Sequence, residues 1–185
     1  MTDPDKWLTS WRSLGALSVS RHDLAKEGLT VSAFLPLAAL IQAAQELKQA
    51  RYSLLDISAL EAKEGFVVTY HFDSLDQPAR LAIRILAPKK KPLAPSLWSI
   101  FQGAEWHERE AADFFGLVFD GNPNLVPLLL PDPDEFTGPP PLRKAEADLA
   151  PVSKLGLLAQ VEILDPDFGE LLGLAQVSDS RGGQA

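Results

Sequence analysis

Large apolar residues recur at helical spacing at Trp7, Leu8, Trp11 and Leu14, which predicts a short amphipathic helix near the start of the chain. A second helix is predicted over 36–50. Pro36 suits a first helical position, where its missing N–H costs nothing. Leu37, Leu40, Ile41, Ala44 and Leu47 repeat on one face, with Gln42, Gln45, Glu46, Lys48 and Gln49 mostly on the other. The period then changes from helical to alternating. Phe66, Val68, Tyr70 and Phe72 share one face of a strand, and Leu81, Ile83 and Ile85 share one face of another, with Arg84 opposite. A weaker strand signal covers Tyr52 to Ala59, and the polar run Asp73 to Pro78 between the two clear strands reads as a turn. Leu97 to Phe115 reads as helix, broken near Gly103. The pattern implies an α+β fold: an antiparallel or mixed sheet packed against helices.

Beyond Gly116 the pattern is no longer regular. Pro123, Pro127, Pro131, Pro133, Pro139, Pro140, Pro141 and Pro151 are eight of the chain's 15 prolines. So many prolines exclude a regular helix or a central strand. Yet Leu125, Val126, Leu128, Leu129, Leu130, Phe136 and Leu142 lie among them, more large apolar residues than a disordered linker carries. The expected organisation is an α+β domain over 1–116, an extended docking arm over 117–177, and a disordered polar tail over 178–185.

The 185 residues carry 17 Lys and Arg against 25 Asp and Glu, a formal charge of −8. That balance argues against nucleic acid or an anionic membrane as partner. In this acidic context Lys89-Lys90-Lys91 reads as a solvated loop. No apolar run approaches the roughly 20 residues of a membrane helix, and no secretory pattern opens the chain, so a soluble protein is expected. Cysteine is absent, which rules out thiolate-held iron–sulfur or zinc sites.

Only three histidines are present, His22, His71 and His107. His107-Glu108 opens like a zinc-protease helix, but the second ligand position holds Ala111. Asp132, Asp134 and Glu135 lack the order of a calcium loop, with Pro133 among them. No glycine pattern for phosphate or dinucleotide binding and no nucleophile elbow is present. The densest charged cluster is Glu105, His107, Glu108, Arg109, Glu110 and Asp113. On a helix Arg109 faces Glu105 and Asp113 at four-residue spacing, and such pairs add about 0.2–0.5 kcal/mol each. The apolar Phe114, Phe115, Leu117 and Phe119 beside these charges fit a docking surface instead, since buried charges need partners.

The run from Trp106 to Leu125 resembles the signature of the respiratory-chain NADH dehydrogenase 30-kDa family, the C-subunit of bacterial NADH–quinone oxidoreductase. Glu108-Arg109-Glu110, Asp113, Phe114-Phe115, Gly116, Phe119, Gly121 and Pro123 carry the match. Gly138 through Leu142-Arg143-Lys144 resembles a downstream element of the same family, and the likeness spans about residues 30 to 145. The chain departs from the family pattern at Asn122 (usually His), near Val126 (Arg), at Pro139 (His) with a further proline before Leu142, and at Ala145 (Asp).

The resemblance implies a cofactor-free subunit in the peripheral arm of a membrane-bound quinone-reducing, NADH-oxidising translocase. Iron–sulfur clusters would lie in partner chains. The partners it implies are a large hydrogenase-related subunit and iron–sulfur subunits, on the cytoplasmic face of the membrane. The motif residues from Glu108 to Lys144 would then be interface or structural residues, with no catalytic, cofactor-binding or metal role. Val126-Pro127-Leu128-Leu129-Leu130 also resembles the homologous subunit of energy-converting nickel–iron hydrogenases and formate hydrogenlyases. A third reading is a stand-alone hydrolase using Glu108, Glu110 and His107 as acid–base groups.

Overall fold

The computed structural model describes residues 4–131, 135–158 and 161–174. The tail expected over 178–185 lies outside them. In chain order the elements are α1 (Pro4–Ser13), β1 (Ser18–Arg21), α2 (Leu24–Glu27), β2 (Val31–Phe34), α3 (Leu40–Gln49), β3 (Tyr52–Glu61), β4 (Phe66–Ser74), β5 (Arg80–Ala87), β6 (Leu93–Pro95), α4 (Ala104–Phe115), β7 (Val118–Asp120), β8 (Val161–Ile163) and α5 (Pro166–Leu171). Six strands form one sheet in the order β3-β4-β5-β2-β1-β8. Every neighbouring pair is antiparallel except β2 with β5. The α+β architecture expected from the periodicity is the one observed.

The helices and the three long strands form where the apolar periods place them, with shifted ends. Pro36 is extended, with φ −62° and ψ 148°, and precedes a 3-10 turn over Leu37–Ala39, so the α-helix proper begins at Leu40. Leu97 to Phe101 is one turn, closed by the Phe101 amide on the Leu97 carbonyl at 2.8 Å, and α4 starts only at Ala104. The weakest strand signal belongs to the longest strand. β3 runs ten residues along the sheet edge, with an irregularity between Leu54 and Asp56. Two interior strands, β1 and β2, are not foreshadowed by the sequence pattern. Each has four residues, too short for a period to register, and Ser18, Ser20 and Ser32 stand at buried positions.

α1, α3 and α4 cover one face of the sheet. Trp11, Leu40, Leu47, Phe66, Tyr70, Phe72, Ile83 and Ile85 are fully buried there, each aliphatic contributing on the order of 1.5–3 kcal/mol. Trp7 meets Tyr52 edge-on, with ring centres 5.4 Å apart, which ties α1 to the start of β3. The other face is covered at one end by residues 152–158 and 163–174. Phe34 and Val67 pack there against Val152, Phe168 and Leu172. This second layer is why burial along β4 does not alternate: Val67 is as buried as Phe66 and Val68. It also recruits β8, which pairs with β1 at the far edge.

α4 sits between β6 and β7, which pair in parallel as a separate two-stranded sheet. Gly116 ends the helix in the left-handed region at φ 73°, its amide bonded to Ala112 O at 2.8 Å, a conformation glycine adopts without the Cβ penalty. The chain after β7 then turns back across α4.

Candidate functional site

Every polar residue buried on α4 faces a loop. Glu108 is 1% exposed. Its Oε1 accepts the Leu97 amide at 2.7 Å, and its Oε2 accepts Ser96 Oγ at 2.7 Å and Asn122 Nδ2 at 2.8 Å. Burial raises the carboxyl pKa, opposed by those three hydrogen bonds. Glu108 thus joins the loop entering α4 to the loop leaving β7. With both oxygens engaged and no exposure, it is poorly placed for acid–base chemistry on a substrate.

One turn further on, Asp113 Oδ2 accepts the backbone amides of Leu128, Leu129 and Leu130 at 2.9, 2.7 and 3.1 Å. Arg109 takes the same segment by its other polarity: Nε donates to Val126 O at 2.8 Å and a terminal nitrogen donates to Pro127 O at 3.0 Å. Cation on carbonyls and anion on amides together grip 126–130, a stretch that Pro127 within it and Pro131 just after it deny a ladder of its own. Arg109 also pairs with Glu105 at 3.6 Å and lies over Trp106 at 5.8 Å. The four-residue spacing therefore yields one of the two expected ion pairs. Asp113 is turned to the backbone amides.

The connection between β7 and this segment is a pair of Asx turns. Asn122 Oδ1 accepts the Asn124 amide at 2.9 Å, and Asn124 Oδ1 accepts the Val126 amide at 3.3 Å. Asn124 Nδ2 reaches Glu105 Oε1 at 3.0 Å. Asn122, a departure from the family pattern, is thus a working part of the Glu108 network.

The downstream element is anchored separately. Arg143 donates to both oxygens of Glu61, at 3.0 and 3.3 Å, and the Lys144 amide adds 3.2 Å. The Arg143 guanidinium lies 5.1 Å from the Phe66 ring centre. The Leu142 amide meets Phe114 O at 3.0 Å, and a side chain at Gly116 would meet Pro140. Lys89, expected in a solvated loop, bonds Glu146 at 2.8 Å. The remaining signature residues divide. Phe119 is buried and Phe114 and Phe115 are half-buried, while Glu110, Gly121, Pro123 and Lys144 are exposed. Glu61 joins the site from outside the signature, while Ser96, at its approach, and Asn124, within its run, join it with no role assigned by the pattern. Their signal lies in pairings across 12 to 82 positions, which no local pattern carries.

The site's outer surface is apolar. A cleft of about 180 Å³ lies between α4, β7 and the 125–126 turn, and Trp106, Leu125, Val126 and Leu129 are each at least 60% exposed beside it. His107 faces away, with Nδ1 3.3 Å from Asp56. Among the described residues no group of three or more His, Asp or Glu could hold a metal ion, and no helix is long and apolar enough to cross a membrane.

Known proteins resemble this chain in sequence and fold. The family described as respiratory-chain NADH dehydrogenase, 30 Kd subunit, matches residues 35–149, which include both faces of the α4 grip and the Glu61–Arg143 anchor. The NADH-quinone oxidoreductase C-subunit of Mycobacterium ulcerans is 34% identical over 102 residues, covering 51% of this chain and 43% of that protein. Its counterpart in Mycolicibacterium smegmatis is 30% identical over 123 residues, covering 63% of this chain and 52% of that one. The chain spans about half the length of these relatives. Among solved structures, the trypsin-resistant fragment (1-134) of Nqo5 superimposes with a TM-score of 0.57 at 25% identity, over 65% of this chain and 98% of the fragment. A chain of the membrane-bound sulfane sulfur reductase, an archaeal respiratory membrane complex, shares the fold, with a TM-score of 0.54 at 23% identity over 64% of this chain and 68% of its own.

Proposed function

Because the chain belongs to the respiratory-chain NADH dehydrogenase 30-kDa subunit family, we propose that it is a cofactor-free positioning subunit in the peripheral arm of a membrane-bound redox complex of the NADH–quinone oxidoreductase type. In this reading it seats on a large hydrogenase-related subunit beside the iron–sulfur chain, on the cytoplasmic face of the membrane. The observation that carries the reading is the use made of the signature. Glu108, Arg109 and Asp113 direct their polar atoms inward, onto loops of their own chain, while the surface they build is apolar and open. A rigid apolar face with its polar groups already satisfied is suited to protein contact rather than to turnover. Electron transfer, quinone reduction and ion translocation would then belong to other chains.

The test is to tag the chain in its own cell, solubilise the membranes in mild detergent and resolve the extract by size. Co-elution with a large hydrogenase-related subunit and iron–sulfur subunits is expected. A chain that elutes only as a free monomer, while the complex elutes without it, overturns the reading. The resemblance of 126–130 to the hydrogenase-side homologues supplies the second reading, the counterpart subunit of an energy-converting nickel–iron hydrogenase or formate hydrogenlyase. A nickel-containing large subunit in the same fraction distinguishes it.

A further inference from the structure

Five lysines at one end of the main sheet stand apart from the other described cations. Away from that end, each described Lys and Arg has a partner: six pair with a carboxylate, and Lys6, Lys48 and Arg84 lie over an aromatic ring. Among the described residues, the side chains of Lys63, Lys90, Lys91, Lys144 and Lys154 have neither, and all five residues are exposed. The fold brings them together. β3 turns into β4 where Glu61 pairs with Phe66, and β5 ends beside Phe66 at Ala87. Lys63 in the turn and Lys89 to Lys91 after β5 therefore leave the sheet at the same end. The later chain is fastened there. Arg143 and the Lys144 amide donate to Glu61 at 3.0 and 3.2 Å, and Lys89 donates to Glu146 at 2.8 Å. The Lys63 amide donates to Ala150 O at 3.1 Å, and the Val152 amide to Glu64 Oε2 at 3.0 Å. Lys154 closes the 3-10 turn that begins at Val152.

Seven basic side chains, these five with Lys89 and Arg143, thus surround four acidic ones, Glu61, Glu64, Glu146 and Asp148, in a chain whose formal charge is −8. Two of the four are already engaged: Glu61 by Arg143 and Glu146 by Lys89. Lysines gathered in this way repel one another in the isolated chain, and an anionic partner relieves that repulsion. Because the backbone beneath them is held by the hydrogen bonds above, such a partner meets a surface already arranged. Leu142, 50% exposed beside Arg143, adds apolar contact area, and Glu146 and Asp148 interrupt the positive field. Both features suit the side chains of a protein better than a plane of lipid phosphates. We propose that this end of the sheet docks an acidic segment of a partner protein, whose Asp and Glu side chains pair with the five lysines. The surface shares no residue with the apolar face of Trp106, Leu125, Val126 and Leu129. The inference rests on the reading of the chain as a subunit of a larger complex.

Carbodiimide treatment of the purified complex should link one or more of the five lysines to an Asp or Glu of another chain, identified by mass spectrometry. Absence of any such link, or links only within this chain or to a second copy of it, overturns the inference. The full-length triple variant Lys90→Gln, Lys91→Gln, Lys144→Gln should keep or exceed the wild-type melting temperature. A lowered one would mean that these lysines are engaged within the chain, and it overturns the inference. A moderate salt wash of the complex should leave roughly tenfold less of this variant bound than of wild type. Equal retention overturns the inference and leaves the reading as a subunit intact, whereas wild type found only outside the complex overturns both. Finally, the isolated chain should not sediment with vesicles of phosphatidylcholine and phosphatidylglycerol in equal parts. Sedimentation that the triple variant abolishes would assign the surface to lipid and overturn the inference.

Discussion

Asp113 Oδ2 lies 2.7 Å from the Leu129 amide nitrogen, and the amides on either side, from Leu128 and Leu130, converge on the same oxygen. One carboxylate thereby organises a segment that cannot organise itself. Hydrogen bonds to a charged acceptor contribute about 1.5–3 kcal/mol, so Asp113→Ala should cost on the order of 2 kcal/mol and free residues 126–130. Asp113→Asn, which keeps one neutral acceptor, should cost less. Limited proteolysis checks this. Cleavage between Gly121 and Leu130 should rise in the order wild type, Asn, Ala, and an unchanged cleavage pattern would contradict the grip.

Glu108 predicts a pH dependence of stability. Its folded-state pKa is raised, with burial as the largest cause, so the folded state holds the proton more tightly than the unfolded chain. Its contribution is therefore fullest below the ordinary carboxylate pKa and is lost as pH rises through the raised folded value. Glu108→Gln removes this titration, although its amide also meets donors such as the Leu97 N–H and should cost about 1–3 kcal/mol. Measured by melting at a series of pH values, wild type should gain stability relative to Glu108→Gln as pH falls from neutrality toward the ordinary carboxylate range. A difference that shrinks over that interval would reverse the sign of the shift.

The Arg143–Glu61 pair is asymmetric: the Glu61 side chain is 3% exposed and that of Arg143 is 38% exposed. Removing the guanidinium leaves a buried carboxylate with only the Lys144 amide. After allowance for solvent at the arginine, Arg143→Ala should cost about 1–2 kcal/mol. A double-mutant cycle with Glu61→Gln should show the two losses to be non-additive. Full additivity would mean that the pair contributes nothing.

Two glycines should respond differently to alanine. A Cβ at Gly65 would lie 2.4 Å from the Ala87 carbonyl oxygen, so backbone must move. A Cβ at Gly116 would meet only Pro140 Cγ at 3.2 Å, but at φ +73°. Gly116→Ala should cost about 1–2 kcal/mol from the left-handed conformation alone, and Gly65→Ala more than that. Chemical denaturation ranks them, and Gly65→Ala proving the milder would refute the close approach.

The amino-acid sequence by itself determined the parts whose signal is periodic. α3, β4 and β5 each repeat one apolar face over several residues, and that period survives in any fold that buries the face. The signature on α4 was legible for a different reason: fixed residue types at fixed spacing identify a family without geometry. Tertiary structure alone decided what those residues do. Arg109 and Asp113 fit a helix ladder as well as they fit a grip on 126–130, and only the return of the chain across α4 separates the two. β1 and β2 were invisible because four residues with serines at buried positions carry no period, and they become strands only because β5 and β8 offer edges to pair with. Arg84 shows the same limit from the other side. Alternation put it on the face opposite Ile83 and Ile85, as observed, but an alternating pattern does not reveal that this face is covered at one end as well, which leaves Arg84 only 6% exposed.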